Sequence, residues 1–208
     1  MNVVKRDGRT ELLNIEKIHE VLYWATENIK GVNISDIEIK IGVQFYDGIK
    51  SEKIHEMLIN SCADLITEKT PNYQQVAANL LNFYLRKQVF NTSDNMPSLR
   101  TVIRRNVEDG VYDEILLDKY SKDELKKLDN IIRHQRDYKF VYAGLQQLID
   151  KYLLKDRSTG RIYETPQFMY MLICMTLMSD VEDVHERRRL IKDLYNDLSL
   201  FKISLPTP

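Results

Sequence analysis

The side chains best placed to do chemistry in this chain are cations set beside turns and helix starts. Lys5 and Arg6 precede Asp7-Gly8, with Val3-Val4 before the group and Leu12-Leu13 after it. Asp and Gly tolerate the positive φ of a tight reversal, so the run predicts a short β-hairpin whose tip carries both cations. Asn14 follows as a good helix N-cap. A helix starting there adds the partial positive charge of its N-terminus to the same neighbourhood, and Lys17 falls in its first turn. A cation in that place opposes the helix dipole, which favours a bound anion to offset it. Together these groups would suit a polyphosphate.

A second group repeats the theme. Asp47-Gly48 leads into Ile49-Lys50 and a helix for which Ser51 is a candidate N-cap, with His55 one turn later on the same face. Pro71-Asn72-Tyr73-Gln74 opens a further helix that ends in Leu85-Arg86-Lys87. In this order, Lys-Arg-Asp-Gly, Phe-Tyr-Asp-Gly-Ile-Lys, Lys-Ile-His and Pro-Asn-Tyr-Gln resemble the ATP-cone, the regulatory module at the N-terminus of ribonucleotide reductase large subunits. Further along, His134-Gln135-Arg136-Asp137-Tyr138, Thr159-Gly160-Arg161-Ile162-Tyr163-Glu164-Thr165-Pro166 and Leu205-Pro206-Thr207-Pro208 resemble the entrance to the catalytic domain of the class I large subunit. The implied fold is mainly α. Residues 1–91 would form the cone, a β-hairpin plus a four-helix bundle. Residues 98–208 would form the helical N-terminal part of the catalytic domain, ending at the first barrel strand.

The resemblance carries roles onto named positions. It assigns Lys5 and Lys87 to nucleotide phosphates, where an ammonium gives charge-assisted hydrogen bonds, and counts Arg6 among the nucleotide-binding residues. It wraps ATP or dATP, with Mg2+, in the segment Glu11, Leu12, Leu13, Asn14, Ile15, Glu16 and Lys17, where Glu11 and Asn14 suit base or ribose. Ser51 stands where relatives more often have threonine and keeps the hydroxyl; it reads either as a simple cap or as a nucleotide contact. His55 would approach the nucleotide. Trp24 and Phe83 read as core, and Tyr84 replaces a residue that is often histidine. Thr207 matches a threonine near the substrate diphosphate. The implied function is allosteric control of ribonucleoside-diphosphate reduction. No redox cofactor is expected in the chain, and the catalytic cysteines are expected to lie beyond it, so that it would be inactive alone. Implied partners are the remainder of the large subunit, as the same or a separate polypeptide, and a metal-containing, radical-generating small subunit, within an oligomer. The alternative is a free-standing ATP/dATP sensor. A repressor built on the same cone is disfavoured, because the paired Cys-x-x-Cys ligands of that family are missing ahead of the hairpin.

Composition supports a globular, cytoplasmic protein. Thirty Lys and Arg against 31 Asp and Glu give a net charge of −1, which leaves no broad footprint for nucleic acid. Arg187-Arg188-Arg189, amid Glu182, Asp183 and Glu186, reads as a solvated, salt-bridged helix face. Cys62 and Cys174 stand far apart and fit a reducing compartment. The apolar run 168–178 is too short to span a bilayer, which takes about 20 residues, so it reads as a buried helix and no membrane association is expected.

The elements that must position these groups are read from periodicity and caps. Helices are expected over 15–29, from a Ser35-Asp36-Ile37-Glu38 capping box, over 52–68, over 73–89, from a Ser121-Lys122-Asp123-Glu124 box to His134, from Thr165-Pro166, and over 182–200. Lys155–Arg161 reads as a hairpin or tight loop, 91–98 as a polar boundary, and Phe201–Leu205 as a strand.

Overall fold

The turn at Asp7-Gly8 reverses the chain as its residues predict. In the computed structural model, which describes residues 1–42 and 45–206, strands β1 (Asn2–Val4) and β2 (Thr10–Leu12) pair antiparallel with Val4 opposite Thr10. Gly8 sits at φ +83°, its amide bonds to the Lys5 carbonyl at 3.0 Å, and the Lys5 amide closes the loop onto the Arg9 carbonyl at 2.8 Å. The Asp7 carboxylate accepts from the Arg9 amide and guanidinium, and those bonds hold its pKa below the ordinary value.

Two compact units result. The first comprises residues 1–84 with 140–146, the second residues 85–139 with 147 onward. The division falls inside a helix, and the polar segment 91–98 lies in the second unit.

In the first unit, α1 (Ile15–Thr26), α2 (Ile34–Gly42), α3 (Ser51–Ala63) and α4 (Tyr73–Phe90) accompany the hairpin. Their apolar faces bury Leu22, Ala25, Ile37, Ile41, Ile54, Leu58, Val76 and Leu80, the stripes set by helical spacing. A third strand, β3 (Ile49–Lys50), was not expected. It pairs parallel with β1, giving the order β2-β1-β3.

Several helix ends differ from expectation for local reasons. Helix α1 stops at Thr26, not Ile29, because Asn28 takes a left-handed φ of +62°. The cap of α2 is Asn33, whose side chain accepts the Ser35 amide at 3.1 Å. The Ser35 box does not close, since Glu38 pairs with His19 at 2.6 Å. Helix α3 ends at Ala63, not Glu68, because the Thr70 hydroxyl takes the Leu65 carbonyl at 2.7 Å and draws the chain into a turn.

The second unit contains α5 (Leu99–Glu108), α6 (Ile115–Lys119), α7 (Lys122–Asp129), a 3-10 turn (His134–Lys139), the end of α8 (Tyr142–Lys151), and α9 and α10 (Pro166–Leu177 and Val184–Ser199). Helix α9 is buried along most of its length, as its composition requires, and begins with Pro166 in the first turn. The Thr165 hydroxyl makes no cap bond. Ser121 does cap α7, but the Glu124 carboxylate does not fold back to complete a box, and α7 stops at Asp129, short of His134. Glu124 instead receives both Nε (2.9 Å) and Nη2 (2.6 Å) of Arg187. Arg187 is therefore buried, lying 4.6 Å over the Tyr120 ring, and is not part of a solvated face. The loop at Lys155–Arg161 closes as a tight turn with Lys155 bridged to Ile162.

Residues 201–205 form no strand. Phe201 takes φ +60°, and the amides of Lys202 and Ile203 turn back to the Asp197 carbonyl at 2.9 and 3.3 Å, satisfying the end of α10. Cys62 and Cys174 are buried free thiols, each pushed by burial to a pKa of about 12. Among the described residues, no helix is long and apolar enough to cross a membrane.

A buried polar network links the 3-10 turn to its neighbours. Arg86 reaches the His134 carbonyl at 2.6 Å and Asp137 at 3.1 Å, and Gln167 donates to the other Asp137 oxygen at 2.9 Å. The His134 ring packs 4.8 Å from Phe168, and burial, helped by Arg86, lowers its pKa from 6.5 to about 4. The unfolded chain therefore binds the extra proton first. Stability from this residue is full above pH 6.5 and is lost as pH falls toward 4. Burial raises Asp137 to about 6, which works in the opposite sense, so the histidine must be isolated by difference. Relative to His134→Gln, the wild-type chain is expected to lose about 2 kcal/mol between pH 7 and pH 5 in urea unfolding. Equal pH slopes would remove His134 as the cause.

Candidate anion-binding site

The cations singled out in the sequence lie on the hairpin, on α1 and on α4, and the first unit brings a part of them together. Lys5 and Arg6 sit at the hairpin turn, both partly exposed. Lys5 Nζ lies 3.4 Å from Glu11 Oε2 on the facing strand, and Arg6 Nε lies 3.3 Å from Glu52 Oε1 in the first turn of α3. The Arg6 guanidinium also stands 5.5 Å from the centre of the Tyr84 ring. Tyr84, buried on α4, stacks on His55 of α3 with ring centres 5.4 Å apart and planes 28° from parallel. His55 in turn meets Phe83 at 5.8 Å, and Phe83 meets Trp24 of α1 at 5.5 Å. The result is a row of rings running from α1 to the hairpin, with a cation at one end.

The row corrects one expectation. Trp24 is 38% exposed and is not a core residue. Its ring forms an accessible edge of the row, which offers apolar and π surface beside cationic groups.

The start of α1 contributes backbone. Asn14 caps it, its side-chain oxygen accepting the Lys17 amide at 3.2 Å. The amides of Ile15 and Glu16 precede the first intrahelical bond and have no acceptor among the described residues. The Lys17 ammonium has no carboxylate within 4 Å among the described residues. Leu12 and Ile15 flank this helix start 77% and 57% exposed, while the Leu13 amide is spent on the Met1 carbonyl at 2.9 Å. Open amides at a helix N-terminus favour anions.

Ser51 is not a cap. Strand β3 runs straight into α3, so Lys50 takes the half-helical cap position and no side chain closes the turn. The Ser51 hydroxyl is left without a hydrogen-bond partner among the described residues, one turn before His55. Lys87 lies in the last turn of α4, three residues beyond Tyr84, the spacing of neighbours on one helix. It belongs to the stretch counted with the second unit. Thr207 lies outside the described residues.

Two contributors were missed in the sequence. Glu52 holds Arg6, and Asp47 Oδ1 anchors the Asn2 amide at 2.6 Å. Neither carries a local signal, because each partner is more than forty residues away in the chain.

The chemistry these groups offer is binding. Cations, open amides and a row of rings match a ligand with a phosphate chain and a flat ring. Among the described residues there is no cluster of His, Cys, Asp and Glu that could hold a metal ion.

Comparison with known proteins gives matches along most of the chain. Residues 1–88 match the family described as the ATP cone domain, and residues 138–208 match the family described as ribonucleotide reductase, all-alpha domain. The chain is 46% identical over 206 residues to ribonucleoside-diphosphate reductase 1 subunit alpha of Salmonella typhimurium, and equally so to that of Escherichia coli, covering 99% of this chain and 27% of each relative. It is 40% identical over 210 residues to the subunit alpha of Enterobacteria phage T4, again 27% of the relative. The chain thus spans 27% of the length of these curated relatives.

The Arg6–Glu52 pair is exposed enough to be exchanged for a ligand. Exposed pairs are worth about 0.2–1 kcal/mol, so Glu52→Gln should raise affinity for a triphosphate probe such as ATP by up to about fivefold in calorimetry. A weaker affinity would mean that Glu52 orients Arg6 for binding instead of competing for it.

Proposed function

Because the chain belongs to the family of ribonucleotide reductase large subunits, as the N-terminal region with an ATP cone and the start of the all-alpha domain, we propose that it binds ATP or dATP to regulate ribonucleoside-diphosphate reduction. The observation that carries this reading is the row Arg6, Tyr84 and His55, with Lys5 beside it and the open Ser51 hydroxyl one turn away. Lys5, Arg6, Lys17 and Lys87 would take the phosphates, together with the Ile15 and Glu16 amides. Glu11 and Asn14 would meet ribose or base, although the Asn14 oxygen is already used as a cap. Leu12 and Leu13 would line the approach. Mg2+ would enter with the phosphates, held by their oxygens and water.

Regulation follows from differential affinity. An effector shifts an assembly only by as much as it binds one state better than another. ATP would favour the active assembly and dATP an inhibited one, in a complex with the remainder of the large subunit and a metal-containing, radical-generating small subunit. Residues 1–91 would act as the regulatory domain and residues 98–208 as the helical approach to the catalytic barrel, in the cytoplasm. The chain alone would be inactive. A thiyl-radical mechanism needs a radical cysteine and a redox pair in one pocket. Cys62 and Cys174 lie in different units, and burial pushes each thiol to about 12.

ATP and dATP are expected to compete for one site, since nothing placed among these side chains singles out the 2'-hydroxyl. In competition calorimetry, saturating ATP should abolish dATP binding; undiminished dATP binding would rule out a shared site. Lys87→Ala should remove a charge-assisted contact of about 1.5–3 kcal/mol, a tenfold to hundredfold loss of affinity. A change below twofold would place Lys87 outside the site. The chain incubated with a small subunit should form no deoxynucleotide, and any small-subunit-dependent product would overturn the expectation that it is inactive alone.

A further inference from the structure

A second concentration of positive charge lies in the second unit. An open cavity of about 830 Å³ is lined by Lys127 of α7, Arg133, Arg136 of the 3-10 turn, and Arg188, Arg189 and Lys192 of α10. His185 lies on the same wall. Six permanent cations around one small cavity repel one another unless an anion is shared between them.

The protein's own carboxylates do not supply that anion. Arg189 alone among the six is paired, with Glu186 and Asp193, each at 3.7 Å. Lys127, Arg133, Arg136, Arg188 and Lys192 have no carboxylate within 4 Å among the described residues. Nearby acids are committed elsewhere. Asp183 caps α10, Asp129 accepts the Leu99 amide at 2.7 Å, and Asp197 pairs with Lys202 at 3.0 Å. Arg136 is held by the Asn196 and Ser199 side chains, and Arg133 by the carbonyls of Asn130 and Ile132, so both guanidiniums are fixed by neutral groups. Arg188, which contacts His185, buries its Nη1 without a hydrogen-bond partner among the described residues.

We propose that this cleft binds a short phosphate chain, either free or carried on a nucleotide. The charge density decides for phosphate: one phosphate group carries about −1.5 to −2 at neutral pH, where a carboxylate carries a single charge. The forked guanidiniums fit its oxygens in pairs. The volume lies within the usual range for small-ligand sites, roughly 300–1,000 Å³. Nucleic acid is disfavoured, because the chain has net charge −1 and, of the residues lining the cleft, only Ile131 is apolar and only His185 carries a ring, which leaves no extended platform for stacking successive bases.

The test uses tripolyphosphate as the probe on the whole chain, followed by amide shifts of Asn130, Ile131 and Asn196 and by calorimetry. Saturable, salt-sensitive binding below millimolar concentration is expected. Lys127 and Lys192 are exposed, so K127E/K192E should fold as the wild type does, shown by an unchanged thermal transition, yet bind at least tenfold more weakly at the cleft. ATP affinity measured at Lys5 and Lys17 resonances should not change, which separates this cleft from the effector site. ATP shifting the cleft amides more tightly than tripolyphosphate would identify a nucleotide as the source; equal affinities would identify the phosphate chain alone. The proposal is overturned if tripolyphosphate fails to saturate, if K127E/K192E binds it undiminished, or if a poly-glutamate peptide or an RNA oligonucleotide binds the cleft more tightly.

Discussion

The candidate effector site depends on how the first two residues are tied to the turn at Asp47-Gly48. The Asn2 amide donates to Asp47 Oδ1 at 2.6 Å, the Gly48 amide donates to the Asn2 carbonyl at 2.9 Å, and Gly48 adopts φ +80° to make this possible. A side chain other than glycine there would be strained. Those bonds set β3 alongside β1, and β3 runs without a loop into α3. The hairpin cations and the first turn of α3 are therefore fixed against each other by backbone, which is why Arg6 meets both Glu52 and the Tyr84 ring. Loosening the terminal strand would release Lys5 and Arg6 from the side chains of α3 and α4.

Burial decides what each cation can do. Arg86 with Asp137, and Arg187 with Glu124, are ion pairs with side chains at most 7% exposed. Removing one partner of such a pair leaves a buried charge and costs about 3–5 kcal/mol, so these arginines are committed to holding the second unit together. Lys5 and Arg6 make longer pairs at the surface, where each is worth no more than about 1 kcal/mol. A multiply charged ligand can displace an exposed carboxylate at little cost. The same side-chain types thus serve as fixed struts in one unit and as exchangeable contacts in the other.

This distinction limits what sequence alone reveals. The hairpin was legible because Asp7-Gly8 is a local signal, and Asn14 and Ser121 because a cap bonds within three residues. Strand β3 was not, since two residues pairing across the chain leave no periodicity. Ser51 reads as a cap by type, and only the unbroken passage from β3 into α3 removes it from that role. Trp24 reads as core by type, and only its position at the end of the ring row shows otherwise. Residues 201–205 alternate as a strand would, but the amides of Lys202 and Ile203 cap α10 instead.

The run Arg187-Arg188-Arg189 makes the same point within three residues. Successive positions on a helix point about 100° apart, so one charged tripeptide must serve three environments. Arg187 turns inward to Glu124, Arg189 stays at the surface between Glu186 and Asp193, and Arg188 lies half-buried on the cleft wall with one nitrogen unsatisfied. The sequence presents them as one cluster with one role. Only Arg188 is both held in place and short of a partner, and that combination, not charge alone, distinguishes a binding arginine from a structural or a solvated one.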